Sequence, residues 1–138
     1  MTVRSLILDT CAVLDLAAGL ELPSRAALAL RAAIDGREAW VSAVVALEVA
    51  QKAWTGKLSL DASTTIWFGR VIRQIGLRTL RLSAHVALAA YALPEPFHRD
   101  PADRMIVATA RRLRVPILTS NREILAYAAA GHVAAIGY

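Results

Sequence analysis

Hydrophobic and polar positions along the chain alternate between short apolar runs and longer stretches with helical spacing. Apolar residues recur three and four positions apart most clearly over residues 59–75, which predicts an amphipathic helix ended by Gly76. The short apolar runs are typical of buried strands. We predict strands at Val3–Leu8, Trp40–Val41, Arg78–Leu82, Val115–Leu118 and, as an edge strand, Val133–Ile136. Further helices are predicted at 11–18, 24–34, 42–54, 83–93, 100–113 and from Ser120 onward.

Strands that alternate with helices favour a mainly parallel sheet with helices on both faces, the α/β class of fold. The length of 138 residues suits a single domain spanning 1–138, and 57% apolar residues are enough to form a sizeable core. The longest uncharged stretch is 124–138, shorter than the ~20 apolar residues that a membrane helix needs. The lone Cys11 excludes an internal disulfide and fits a reducing compartment, so we expect a cytoplasmic protein without a membrane segment.

The basic residues of the chain are unevenly chosen. The formal net charge is +5, and all 16 basic residues except Lys52 and Lys57 are arginines. Because the guanidinium fork pairs with phosphate through two hydrogen bonds, this excess is compatible with a nucleic-acid partner. A GC-rich genome that favours arginine and alanine codons explains it equally well. Charge alone therefore does not decide the function.

Polar residues follow the predicted strands at the positions where a parallel sheet binds its ligands, beyond the carboxyl ends of the strands. Clustered carboxylates stay ionised together only when a cation sits among them, and oxygen ligands without His or Cys favour Mg²⁺ or Mn²⁺. Such an ion can activate water and stabilise charge during phosphodiester hydrolysis. The residues that we expect at this rim are Asp9, Thr10, Glu48, Asp100, Asp103, Thr119 and Asn121.

Most of these residues also have a purely structural interpretation. Asp100 is a suitable N-cap for a helix whose first turn holds Asp103. Glu48 stands four residues before Lys52, the favourable order for a surface ion pair, and Ser120 with Glu123 has the spacing of a capping box. Asp9 is harder to explain in this way, because a carboxylate directly after a buried strand is costly unless it is bound or reaches solvent.

The order and spacing of these residues carry more information than any one of them. A strand followed by Asp9-Thr10, a helix carrying Glu48, the segment 98–110 (HRDPADRMIVATA) and the segment 117–121 (ILTSN) together resemble the PIN-domain family. Within that family the chain is most similar to VapC-type toxins of type II toxin–antitoxin pairs, over residues 4–136. The block Asp-Pro-Ala-Asp-Arg at 100–104 is the most specific element of the resemblance.

The resemblance implies a three-layer α/β/α sandwich with endoribonuclease activity that depends on Mg²⁺ or Mn²⁺. It implies an RNA substrate, an inhibitory antitoxin and, together with the apolar composition, a homodimer. The implied catalytic acids are Asp9, Glu48 and Asp103, with Asp100 beside them, and we expect Asp9 and Asp103 to be the metal ligands. The implied supporting residues are Thr10 and Thr119.

One position departs from the pattern of the family, which often has a fourth aspartate where this chain has Asn121. Asparagine can hold a metal-bound water or orient Asp9 but adds no charge, so we favour one well-held ion over two. The same departure keeps open an alternative, a catalytically weakened module that binds RNA or a protein without cleavage. An aspartate-nucleophile phosphatase also places Asp after its first strand, but it needs a second acid where this chain has Cys11.

Three arginines and one histidine flank the acids. Arg99, Arg104 and Arg122 are candidate contacts for RNA phosphates, or else are solvated or paired with local acids. His98, in the loop before the acidic helix, is a candidate substrate contact.

Overall fold

A computed structural model describes residues 3–138 of the chain, and within this range five short strands form one parallel sheet. The strands lie in the order β3-β2-β1-β4-β5, and all four neighbouring pairs are parallel. Their bounds are β1 Leu6–Leu8, β2 Ala39–Ser42, β3 Arg78–Leu80, β4 Ile117–Thr119 and β5 Ala135–Gly137. The prediction of an α/β fold with a parallel sheet and a final edge strand is confirmed.

Seven helices in the described range connect and cover the strands. From β1 the chain steps outward to β2 and β3, then returns across β1 to β4 and β5. Because right-handed crossovers in opposite directions place their helices on opposite faces, the sheet becomes the middle layer of an α/β/α sandwich. The helices are α1 Thr10–Ala17, α2 Ser24–Asp35, α3 Ala43–Trp54, α4 Thr64–Ile75, α5 Ala84–Ala89, α6 Pro101–Leu113 and α7 Arg122–Ala129.

Some predicted helix bounds were wrong, and local hydrogen bonds explain the clearest case. The helix predicted from residue 59 begins at Thr64, because the hydroxyl of Ser63 accepts a hydrogen bond from the backbone N–H of Ile66 at 3.3 Å and caps the helix there. The helix predicted over 83–93 ends at Ala89. No helix in the described part of the chain is long and apolar enough to cross a membrane.

The central strands hold the centre of the hydrophobic core. All three residues of β1 are fully buried, as are Ile117 and Leu118 of β4. Strands β1 and β4 are neighbours at the point where the strand order reverses. Open α/β sheets bind ligands in the crevice at such a reversal, beyond the carboxyl ends of the two strands.

Candidate active site

Asp9 lies immediately after β1, at the reversal point of the sheet. It caps α1, since its Oδ1 accepts a hydrogen bond from the N–H of Ala12 at 2.9 Å. Its Oδ2 accepts a hydrogen bond from the hydroxyl of Thr119 at the end of β4, and the residue is 1% exposed. Burial raises the pKa of Asp9 to about 6, and the nearby charge of Glu48 acts in the same direction. The two hydrogen bonds oppose this shift by lowering the pKa.

Asp103 lies in the first turn of α6, and Asp100 is the N-cap of that helix. The Oδ1 of Asp100 accepts a hydrogen bond from the N–H of Asp103 at 3.1 Å, so the predicted capping role of the exposed Asp100 is confirmed. Asp103 is buried, and burial followed by the charges of Asp100, Glu48 and Asp9 raises its pKa to about 7. The same four acids therefore influence one another at one rim of the sheet.

Asn121 connects the end of β4 to Asp103. Its side-chain N–H donates to Oδ2 of Asp103 at 3.2 Å, so the acid that it orients is Asp103 and not the predicted Asp9. Its backbone N–H donates to the hydroxyl of Thr119 at 2.9 Å. The Oδ1 of Asn121 caps α7 by accepting from the N–H of Glu123 at 2.9 Å. The interpretation of Ser120 as the cap of this helix was wrong. An aspartate at position 121 would cap the helix equally well but would have no N–H for Asp103.

Glu48 lies on α3, half-buried, and its Oε1 accepts a hydrogen bond from the hydroxyl of the buried Thr10. Thr10 is the first residue of α1, so this bond ties Glu48 to the segment that carries Asp9. The ion pairs among residues 3–138 do not include Glu48 with Lys52. The surface-pair interpretation of Glu48 is therefore wrong.

His98 lies beside Asp103, with its Nε2 3.1 Å from Oδ2 of the carboxylate. This nitrogen is buried and has no hydrogen-bond partner among the described residues, so the contact is an ion pair only when the imidazole is protonated. His98 thus touches the carboxylate that we expect to bind the metal.

The donor set of the rim fits a hard divalent cation in its chemistry. The acids offer only oxygen, and their mutual repulsion would be relieved by a bound positive charge. In the described range no three Asp, Glu, His or Cys side chains are already gathered as ligands of one ion. Mg²⁺ does not need such a cage, because it commonly keeps several waters and binds one or two carboxylates. Asp9 and Asp103 are the two buried carboxylates at this rim, which matches the number that such a site uses.

The three flanking arginines have different surroundings. Arg99 and Arg122 are exposed and free to meet a polyanion. Arg104 is 5% exposed, and its guanidinium donates to the carbonyls of Ala90 and His98 at 2.8 and 3.1 Å, among others. The proposal of Arg104 as an RNA contact was wrong, because its donors are used inside the protein.

One acid near the site, Asp15, was not among the predicted residues. Asp15 on α1 raises the pKa of Asp9 by its charge, and its Oδ2 accepts a hydrogen bond from the hydroxyl of Tyr138 at 2.7 Å. The two partners are 123 residues apart, so no local spacing could have revealed the contact.

Comparison with known proteins matches this chain to one domain family. The family model of the PIN domain matches residues 6–130. The ribonuclease VapC22 of Mycobacterium tuberculosis is 32% identical over 103 residues, which cover 74% of this chain and 78% of that protein.

Two solved structures share the fold at low sequence identity. VapBC2 from Rickettsia felis, bound to a DNA fragment from its promoter, gives a TM-score of 0.69 at 12% identity, covering 96% of this chain and 97% of that one. DNA-bound VapBC from Salmonella typhimurium gives 0.66 at 15% identity, with the same coverage of both chains.

Proposed function

The chain belongs to the PIN-domain family, and from this premise we propose that it is an endoribonuclease that hydrolyses RNA phosphodiester bonds with Mg²⁺ or Mn²⁺ and acts as the toxin of a toxin–antitoxin pair. The observation that carries the proposal is the meeting of Asp9 and Asp103 at the reversal point of the sheet, linked through Thr119 and Asn121. The name of the 32% identical relative, a ribonuclease, supports the same reaction class.

In the proposed mechanism Asp9 and Asp103 would hold the ion together with water. When bound, the ion would supply positive charge against the phosphodiester and lower the pKa of a coordinated water. Thr119 holds Oδ2 of Asp9 and Asn121 holds Oδ2 of Asp103, which fixes both carboxylates before substrate arrives. Glu48 is held at Oε1 by Thr10, and its Oε2 would accept a proton from the attacking water.

The proposed reaction is tested most directly by sequencing RNA ends. Cells that express the chain should accumulate new RNA ends that are missing from cells expressing the Asp9→Asn variant. The ends should then be reproduced by the purified protein with Mg²⁺ and should disappear with EDTA. Identical RNA ends in the two cultures would count against the assigned activity.

The raised pKa values predict how stability depends on pH and metal. Because folding raises the pKa of Asp9 and Asp103 from 3.8 to about 6 and 7, their protonated forms favour the folded state. This contribution is full below about pH 4 and is lost as pH rises through 6 to 7. In EDTA we therefore expect the melting temperature to fall between pH 5 and pH 8, and Mg²⁺ to restore it at pH 8 with little effect at pH 5.

The Asp9→Asn/Asp103→Asn double variant is the control for this pH experiment. It should lose most of the difference between pH 5 and pH 8, and it should not respond to Mg²⁺. A Mg²⁺ response of equal size in the double variant would mean that the ion binds elsewhere. Calorimetry measures the melting temperatures of both proteins at pH 5 and pH 8, in EDTA and in Mg²⁺.

The Asn121→Asp variant tests whether a fourth charge at this rim helps. Asp103 would lose the N–H that Asn121 donates and would face a carboxylate at the same distance, while Asp100 already adds negative charge. We expect the cleavage rate to stay level or fall, and the requirement for Mg²⁺ to persist. Calorimetric Mg²⁺ titration beside an RNA cleavage assay measures both. A several-fold gain in affinity and rate together would contradict the one-ion site.

We further propose a homodimer. Large apolar side chains are exposed on the helices, among them Trp54 at 86% and Leu88 at 74%. Burial of such residues between two copies would gain free energy from the hydrophobic effect. Light scattering at micromolar concentration should give twice the mass of one chain, and a monomer would exclude this assembly.

A small antitoxin is the proposed inhibitor of the site. It would most simply place a basic side chain among Asp9, Glu48 and Asp103, where positive charge relieves their repulsion. A solved toxin–antitoxin complex from Klebsiella pneumoniae shares the fold at 20% identity, with a TM-score of 0.58, which supports such a partner.

A further inference from the structure

A second charged feature lies at the opposite edge of the sheet from the acids. Arg4 precedes β1 and Arg114 precedes β4, so both stand at the amino ends of strands whose carboxyl ends lead to Asp9 and Asn121. Together with Arg25 of α2 they line an open cavity of about 480 Å³. None of the described residues that line this cavity is Asp or Glu.

The three arginines of this cavity have no partner of opposite charge in the described part of the chain. All three are exposed, and none takes part in an ion pair or a side-chain hydrogen bond among residues 3–138. Three like charges that share one cavity repel each other, so the arrangement is stabilised by an anion. The guanidinium fork matches a phosphate oxygen pair in particular.

Two of these arginines stand at positions that do not favour an arginine. Arg114 has φ +56°, the left-handed conformation that glycine adopts at lower cost at the end of a helix. Arg25 lies in the first turn of α2, where the helix dipole disfavours a cation, and no acidic residue shares that turn. An anion bound at this cavity would offset the repulsion between Arg25 and the helix dipole.

We propose that Arg4, Arg25 and Arg114 form a binding site for the phosphate backbone of RNA, separate from the acids. This inference rests on the proposed function, because it assigns the cavity to the substrate of the nuclease. The acids repel a polyanion, so the free energy that holds RNA on the protein must come from cations elsewhere. About 17 Å of extended chain separates Arg4 from Asp9, at ~3.3 Å per residue, so an RNA must span several nucleotides to reach both.

The test compares two triple variants that remove the same charge. Arg4→Ala/Arg25→Ala/Arg114→Gly empties the cavity, and glycine at 114 also suits the left-handed backbone. Arg31→Ala/Arg73→Ala/Arg81→Ala removes three exposed arginines that do not line it. Each set is built on Asp9→Asn, and fluorescence anisotropy with a labelled single-stranded 12-nucleotide RNA in EDTA measures affinity over a range of salt concentrations.

We expect the cavity variant to bind the RNA about tenfold or more weakly. The slope of log affinity against log salt should fall by about 2, since each lost phosphate contact removes ~0.7 for single strands. The control variant should change affinity less than twofold. Equal losses in the two variants would mean that only net charge matters, and unchanged binding by the cavity variant would assign the arginines to another ligand. Either result overturns the proposal.

Cleavage assays separate this inference from the proposed function. For cleavage assays the triple substitutions are made in a chain that keeps Asp9. The cavity variant should then raise KM for a 12-nucleotide RNA with kcat unchanged. It should cleave a trinucleotide as the natural chain does. If RNA binding depends on the cavity arginines but the natural chain does not cleave RNA, the proposed nuclease activity is overturned and the proposed RNA-binding site is supported. If both triple variants cleave RNA with equal KM, the nuclease activity is supported and the RNA-binding role of the cavity is overturned.

Discussion

Replacement of Asp9 by asparagine should lower the rate of RNA cleavage by about 10³-fold or more, because it removes a charged ligand whose ion stabilises several kcal/mol of transition-state charge. The fold should survive. Asparagine keeps an oxygen that can accept from the N–H of Ala12 and cap α1. The rise of the pKa to about 6 means that ionised Asp9 costs about 3 kcal/mol at neutral pH, at ~1.36 kcal/mol per unit. Because asparagine is uncharged, the variant avoids part of this cost, so its melting temperature in EDTA should stay level or rise.

The measurement is cleavage of a labelled RNA by purified protein, with calorimetry of the same samples. Asp103→Asn should behave like Asp9→Asn. Asp100→Asn is the matched comparison, since Asp100 is exposed and asparagine also caps helices, and it should reduce the rate only in part. Unchanged cleavage by the Asp9→Asn variant would remove Asp9 from the site.

The parts of the fold that could be predicted are those set by local pattern. The apolar run of β1 and the polar residue that follows it are adjacent in sequence, and a parallel sheet places that residue at the ligand-binding rim. The predicted edge strand begins two residues later and ends one residue later than expected, at Ala135–Gly137. Strand and helix bounds were less accurate, because a single capping hydroxyl such as that of Ser63 decides where a helix begins.

The parts of the site that could not be predicted depend on contacts between distant residues. Thr119 donates to a carboxylate 110 positions away, and Asn121 reaches Asp103 across 18. The spacing of Ser120 and Glu123 predicted a capping box, but Asn121 caps α7 instead: its side-chain oxygen accepts from the start of the helix while its side-chain N–H donates to Asp103. The family position where aspartate is common is thus filled here by a residue with a donor.

Arg104 illustrates the same limit, and its replacement should have the largest effect on stability. Its Nε donates to the carbonyl of Ala90, and one terminal nitrogen donates to the carbonyls of Phe97 and His98 at 3.1 Å each. Arg104→Ala would leave these carbonyls without a partner in a buried setting. We expect a loss of about 3–5 kcal/mol in the free energy of unfolding, a large part of the ~5–15 kcal/mol typical of a domain.

Arg104→Lys should lose nearly as much free energy of unfolding, because one ammonium cannot reach the carbonyls at both ends of the segment 90–98. Two milder variants set the scale. Tyr127→Phe removes only the hydrogen bond from the hydroxyl to the carbonyl of Pro94, 2.6 Å long, and should cost about 1 kcal/mol. Glu95→Gln removes the charge that faces the other terminal nitrogen of Arg104, and because Glu95 is exposed the change should be small.

Urea unfolding of the four variants measures these differences, with the slope against urea as the check that each remains two-state. The segment held by Arg104 also carries His98, whose Nε2 lies beside Asp103. Loss of the hydrogen bonds from Arg104 should therefore also shift His98 relative to Asp103 in the candidate site. At a temperature where Arg104→Lys is still folded, its cleavage rate should fall more than that of Tyr127→Phe. If Arg104→Lys unfolds at the same urea concentration as the natural chain, the guanidinium network is not what holds this segment in place.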